Sequence, residues 1–369
     1  MLVYVVGTKA QYIKMAPVIA ETLRRQIRCS LVFTGQHRET FDELQRNFSL
    51  PGPDHVLVPG EEVKTRLSFL SWGLRAWRRA GARELRDEVW SQARAVVVHG
   101  DTASTLLGAL IAKRFSVPLA HVEAGLRSFD FLHPFPEEAI RVLVSRLTAL
   151  HLCPDRVSLE NLAGAPGEKV LTHGNTMVDA LRVALSSMAN PASPGEDDYA
   201  VFSMHRQENL FKKRRLTQAL DVLRQLAGDV VPMKFVLHPV TRKRLDKLGL
   251  LTEIARWPGV RLVDRMDFVS FSRLIRGARF VVTDGGSNQE ECAALGIPCA
   301  LLRRATERGD GLEERGVLLA DLDGAQIANF AREAVSHRFV ERPLTESSPS
   351  SEVVDALCRM AALETSRCI

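Results

Sequence analysis

AVVVHGDTASTLLGALIAKRFSVPLAHV, residues 95–122, decides the fold. A β-branched run, AVVVH at 95–99, leads into an amphipathic segment at 102–115 and then a second apolar run, PLAHV at 118–122. Strand, helix and strand in such quick succession predict βα units and a parallel sheet. The pattern extends both ways. LVYVV at 2–6, SLVFT at 30–34 and a weaker LHLC at 150–153 read as further strands, with amphipathic segments at 11–25, 39–48, 61–92 and 136–148 between them. Near 187–199 the composition turns to Ser, Pro, Gly and acid (SMANPASPGEDDY), the signature of a linker. Beyond it the alternation restarts with AVFSM at 200–204, MKFVL at 233–237, VRLVD at 260–264, RFVVT at 279–283 and PCALL at 298–302. The expectation is α/β: two Rossmann-like domains, 1–187 and 188–350, facing a cleft. A last segment, 351–369, carries a helix from Ser351 to Leu363 that returns to the first domain.

Composition narrows the function. A chain of 369 residues suits two domains, and 46% hydrophobic with 25% charged residues is ordinary for a globular protein. No stretch approaches the roughly 20 apolar residues that span a bilayer. The first residues, MLVYVVGTKAQ, lack the basic start and cleavage pattern of a signal peptide, so a cytoplasmic protein is expected. The six cysteines (Cys29, Cys153, Cys292, Cys299, Cys358, Cys368) form no CxxC pair and read as reduced thiols, with no metal site. A net charge of +5 suits a small anionic substrate. The basic clusters Lys212 to Arg215 and Arg242 to Arg244 have no interleaved aromatics, which argues against nucleic acid.

The polar motifs fall where a parallel sheet puts its ligands, just past the carboxyl ends of strands. VVGTKAQYIK at 5–14 offers a glycine turn, a helix start that favours an anion, and the cations Lys9 and Lys14. Asp101 follows its strand directly and stands ahead of Thr102, so it is either a helix N-cap or a functional carboxylate. Glu123, beside Gly125 in HVEAGLRS, has no helix to cap. PFPEEAIR at 134–141 sets Glu137 and Arg141 four apart on one helix face, a spacing also used by surface ion pairs. Three carboxylates at converging positions are what acid/base chemistry needs. In the second half, His205 and Arg206 follow one strand and His238 another. TDGGSNQEE at 283–291 opens a helix on Gly285, Gly286 and Ser287, a cradle of backbone amides for phosphate, with Glu290 and Glu291 one turn on. RRATERGDGL at 303–312 follows the next strand with Arg303, Thr306, Glu307 and Arg308. Asp321–Leu322–Asp323 is taken as a chance match to a DxD metal motif.

The ordered set GTKAQYIKMAPVI, TGQH, HGDT, HVEAGLRS, PFPEEAIR, HGNTMVDAL, HRQEN, TDGGSNQEE and ATER resembles the UDP-N-acetylglucosamine 2-epimerases. The motifs are collinear from about Gly7 to Arg308. The resemblance implies the glycosyltransferase-B architecture, a UDP-sugar substrate, no cofactor, and a cytoplasmic homodimer. It also implies a reaction in which UDP is eliminated across C1–C2 to 2-acetamidoglucal and added back with a proton on the other face. Asp101, Glu123 and Glu137 would form the proton-transfer set, with His205 and Arg141 stabilising departing UDP and Lys14 nearby. Lys9, Arg206, His238, Gly285, Gly286, Ser287, Glu291 and Arg308 would bind the substrate, His238 toward the uracil. Gln36, His37 and Arg38 match a segment that binds a second, activating UDP-sugar in some members.

The chain departs from the family pattern in four places. GTRPE becomes GTKAQ, PEEANR becomes PEEAIR, TDSGG becomes TDGGS, and RPLTESSPSSE replaces a Gly-Asp-Gly stretch before the last helix. Lys9 therefore lacks the bidentate fork of arginine. The competing readings are a hydrolysing epimerase releasing UDP and N-acetylmannosamine, a glycosyltransferase of the same architecture, and a catalytically dead UDP-sugar sensor.

Overall fold

The computed structural model describes residues 1–35, 41–59, 66–131, 136–186, 198–306, 309, 311–312, 316–337, 344 and 346–362. It divides into two compact units, Met1–Val183 with Thr345–Ile369, and Ala184–Leu344. The first is built on a sheet of β1 (Leu2–Val6), β2 (Cys29–Phe33), β3 (His55–Val56), β4 (Ala95–His99), β5 (Leu119–Val122), β6 (Leu150–Cys153) and β7 (Glu168–Leu171). These lie in the order β3-β2-β1-β4-β5-β6-β7, every pair parallel. The second unit carries β8 (Ala200–Ser203), β9 (Met233–Leu237), β10 (Val260–Asp264), β11 (Val281–Thr283), β12 (Cys299–Leu301) and β13 (Val317–Leu319). Their order is β10-β9-β8-β11-β12-β13, again all parallel. Both are doubly wound sheets of Rossmann type, as the alternation predicts.

Helices cover both faces of such a sheet, so its central strands read as unbroken apolar runs. β1 and β4 are buried at every residue. The order reverses between β1 and β4 in one sheet and between β8 and β11 in the other. Loops leaving those strands diverge there and open the crevice in which doubly wound sheets take ligands. The loops in question begin at Gly7, Gly100, Met204 and Asp284.

Capping sets the helix starts beside these crevices. Thr8 caps the helix Lys9–Arg24 and Thr102 caps Ala103–Arg114, each in a reciprocal box with the residue three on, Gln11 or Thr105. The C-terminal helix, Pro349–Ala361, packs on Lys9–Arg24. Arg25 ties the two, donating to Ser351 Oγ at 2.6 Å and ion-pairing with Asp355. Among the described residues no helix is long and apolar enough to cross a membrane.

Candidate active site

The chain leaves β5 at Val122 and turns at once through positive φ, 60° at Glu123 and 91° at Gly125. A Cβ on Gly125 would lie 2.0 Å from the Ser158 carbonyl oxygen, so only glycine fits. Glu123 has no such excuse, and its backbone costs about 1–3 kcal/mol that the surroundings must offset. They do so at its carboxylate. Lys14, buried on the helix Lys9–Arg24, forms an ion pair with Oε2, and Asn175 Nδ2 donates to the same oxygen at 2.6 Å. His99 Nε2 stands 3.6 Å from that oxygen. The Lys14 and Glu123 side chains are 2% and 5% exposed, and mutual neutralisation is what makes such burial tolerable.

Asp101 is not the cap of the helix after β4, since Thr102 is. Its Oδ2 accepts Nε and Nη2 of Arg141 at 2.9 and 2.5 Å. Arg141 does not form the i,i+4 pair with Glu137 that the spacing permitted. Its Nη1 turns to Glu138 Oε2 at 3.4 Å. Glu138, which the sequence reading passed over, is fully buried and also accepts Arg127 Nε at 2.5 Å and the Ser128 N–H at 3.0 Å. Burial pushes its carboxyl up, but these donors outweigh burial and leave it below the usual carboxylate range. Glu137 is the contrast: half-buried, with Oε2 buried and without a hydrogen-bond partner. Of two neighbouring carboxylates, one is gripped by arginine and a backbone N–H and the other keeps a buried oxygen without a hydrogen-bond partner.

A pocket in the first unit is lined by Gly100, Asp101, His121, Glu123, Arg127 and Arg141. Burial pushes His121 down to about 4, so its imidazole is neutral at pH 7, and Nε2 donates to the Gly100 carbonyl at 2.7 Å. Gln11, where the family has Glu, sits beneath. Its Oε1 accepts the N–H groups of Gly7 and Thr8 at 3.1 and 3.2 Å, while Nε2 donates to His99 O and Thr105 Oγ1 at 2.7 and 2.9 Å. An amide can do both, whereas an ionised carboxylate can only accept. Ile140, the other departure, is 5% exposed and belongs to the core of this unit. Lys9 is half-buried on the first turn of its helix.

The second unit gathers its candidates around Asp284. That carboxylate is fully buried and accepts the backbone N–H groups of His205 and Arg206 at 2.9 and 3.0 Å and Asn209 Nδ2 at 2.9 Å. His205 Nδ1 lies 3.4 Å from it, and the His205 and His238 rings lie side by side, tilted at 35°, with centroids 5.3 Å apart. Gly285 begins the helix Gly286–Leu295 with no side-chain cap, so the amides of Gly286 and Ser287 face an uncapped end. A Cβ on Gly285 would come within 2.6 Å of Asn288 Oδ1 and 3.0 Å of His205 Cε1. Glycine at 285, where the family pattern has serine, leaves that space to Asn288 and His205. Glu290 and Glu291 are buried, 2% and 3% exposed, with Glu291 Oε2 accepting Asn288 Nδ2 at 3.4 Å. Asp321 answers Arg215 and Arg304, at 2.6 and 3.1 Å, a structural use of the DLD triplet. Glu307, Arg308, Gln36, His37 and Arg38 lie outside the described residues.

A family model described as UDP-N-acetylglucosamine 2-epimerase matches residues 21–357. The UDP-N-acetylglucosamine 2-epimerase of Methanocaldococcus jannaschii is 31% identical over 84% of this chain and 85% of its own. The UDP-2,3-diacetamido-2,3-dideoxy-D-glucuronate 2-epimerase of Pseudomonas aeruginosa is 31% identical over 82% and 83%. Among solved structures, the M. jannaschii UDP-GlcNAc 2-epimerase in complex with UDP-GlcNAc and UDP superposes with a TM-score of 0.80 at 26% identity, covering 97% of this chain and 99% of that one.

Proposed function

The chain belongs to the UDP-N-acetylglucosamine 2-epimerase family, and from that membership we propose that it interconverts UDP-N-acetylglucosamine and UDP-N-acetylmannosamine without hydrolysis. The C2 proton of the sugar is not acidic, so the step is an elimination. A carboxylate takes the proton from C2 as the C1–O bond to UDP breaks, giving 2-acetamidoglucal. UDP then returns to C1 while another acid delivers a proton to the opposite face of C2. The observation that carries this reading is the pair of carboxylates lining one pocket, Asp101 on Arg141 and Glu123 on Lys14. Each is held by a cation, Arg141 or Lys14, while Glu137 keeps a buried oxygen without a hydrogen-bond partner. Lys14 and Arg141 serve these carboxylates first, so the burden of the diphosphate passes to His205, Arg206 and the uncapped amides of Gly286 and Ser287. His238, exposed beside His205, fits the uracil side, and Glu291, Lys9 and Arg308 complete the binding set.

A cytoplasmic homodimer belongs to the same reading, and five free cysteines among the described residues, four of them buried, agree with a reducing compartment. The equal identity to the P. aeruginosa relative supports a second substrate reading, a UDP-sugar with further substituents that undergoes the same C2 inversion. The test is to incubate the protein with UDP-N-acetylglucosamine and separate the products by anion exchange. UDP-N-acetylmannosamine at a stable ratio, with no free sugar, is expected. Accumulating UDP and N-acetylmannosamine would replace this reading with the hydrolysing reaction. Turnover of the diacetamido substrate alone would transfer it to the second substrate.

A further inference from the structure

Asn175 lies in HGNTMVDAL, a motif to which the sequence assigned no chemistry. Among the described residues, two hydrogen bonds hold its amide. Oδ1 accepts the Met177 N–H at 2.9 Å, at the start of the helix Met177–Ser186, and this leaves Nδ2 pointing at Glu123 Oε2, 2.6 Å away. The turn that carries it is itself anchored. One residue group on, Asp179 Oδ2 accepts the buried Ser350 N–H at 2.7 Å and the Ser348 hydroxyl at 3.2 Å, from the start of the C-terminal helix. Gly174, at φ 149°, passes so close that a Cβ there would sit 3.1 Å from Pro349. The same C-terminal helix packs on Lys9–Arg24, which carries Lys14. Both donors to Glu123 Oε2 are thus braced by one element.

The geometry points to Asn175 as a positioning residue that, together with Lys14, pins Glu123 Oε2 so that the other carboxylate oxygen is aimed into the Asp101 pocket as a proton acceptor. Oε1 lies on that side, 4.0 Å from where a Cβ on Gly100 would be. Glu123 stands on a positive-φ backbone, and these two contacts hold its side chain. Asn175 acts only through Glu123, and this role rests on the epimerase reading above.

The test separates the grip on Glu123 from the helix cap. Asn175→Ser keeps an acceptor for the Met177 N–H but cannot reach Glu123, and Asn175→Asp keeps the cap while facing Glu123 with an acceptor. In protein labelled with ¹³C at the glutamate carboxyl, Glu123 is assigned by its loss in Glu123→Gln and titrated in each variant. Loss of one donor to a buried carboxylate raises its midpoint by about one unit, and the Asp variant raises it further. The acidic limb of kcat is expected to rise by the same amount, so that kcat at pH 6 falls by up to about tenfold while KM stays within twofold. An unmoved Glu123 midpoint in both variants overturns the proposal, and so does a moved midpoint with an unmoved kcat limb. Absence of turnover by the unsubstituted protein would instead bring down the substrate reading, and the carboxyl titration alone would then decide the grip.

Discussion

Replacing Gln11 with glutamate, the residue usual at this place in the family, tests the hydrogen-bond logic under β1 and β4. In Gln11→Glu one carboxyl oxygen keeps the N–H groups of Gly7 and Thr8. The other takes the place of Nε2, 2.7 Å from the His99 carbonyl oxygen and 2.9 Å from Thr105 Oγ1. Two oxygens at 2.7 Å with no hydrogen between them repel, so the folded state holds this carboxyl in its protonated form. The site is 1% exposed, and water does not relieve the conflict. The unfolded chain ionises the same group near pH 4.3, so between that pH and its raised folded value the native state binds more protons, and stability falls as pH rises. At about 1.4 kcal/mol per unit the loss is about 1 kcal/mol at pH 5 and grows to about 3–4 kcal/mol at pH 7 if the folded value lies above 7. Urea unfolding followed by tryptophan fluorescence reports on this unit, which holds Trp72, Trp77 and Trp90, while only Trp257 lies in the other. The control is Gln11→Ala, which strands the Gly7 and Thr8 donors and costs about 2–4 kcal/mol at every pH. An equal stability difference at pH 5 and pH 7 for Gln11→Glu would refute the reasoning.

Two further substitutions probe the two units separately. Asp101→Asn keeps an oxygen for Arg141 but loses the ionisable carboxylate, and turnover is expected to fall by about 10³-fold with UDP affinity, measured by calorimetry, within a few-fold of the starting value. Loss of UDP binding instead would make Asp101 structural. Gly285→Ala drives a methyl into Asn288 Oδ1 and His205 Cε1, and UDP binding is expected to weaken by about tenfold; unchanged affinity would move the diphosphate away from this helix start.

The central strands of both sheets were legible because burial on two faces leaves no room for anything but an apolar run. The strands that the pattern missed, β3, β7 and β13, are all at sheet edges. β3 has two residues, β7 reads EKVL, and β13 is only partly buried, so none carries the uninterrupted apolar signal of a central strand. At the site, the strand-end carboxylates could be found because they interrupt apolar sequence at known places. What they touch could not. Lys14 and Glu123 are 109 positions apart, Gln11 and His99 are 88 apart, and no local spacing encodes such meetings. Glu138 and Glu137 are adjacent acids on one helix, and only the fold decides which is locked by arginine and which is left with an unpartnered oxygen. Whether Asp101 is a helix cap or a functional carboxylate stayed open in sequence for the same reason: it is Thr102 that caps the helix and Arg141 that claims the aspartate.

Proton NMR of UDP-N-acetylglucosamine incubated with the protein in D₂O tests the central claim most directly, because elimination must break the C2–H bond. The account predicts deuterium at C2 of intact UDP-sugars while UDP-N-acetylmannosamine grows in. Inverted product that keeps its C2 proton, or an unreacted substrate with no exchange, would contradict it.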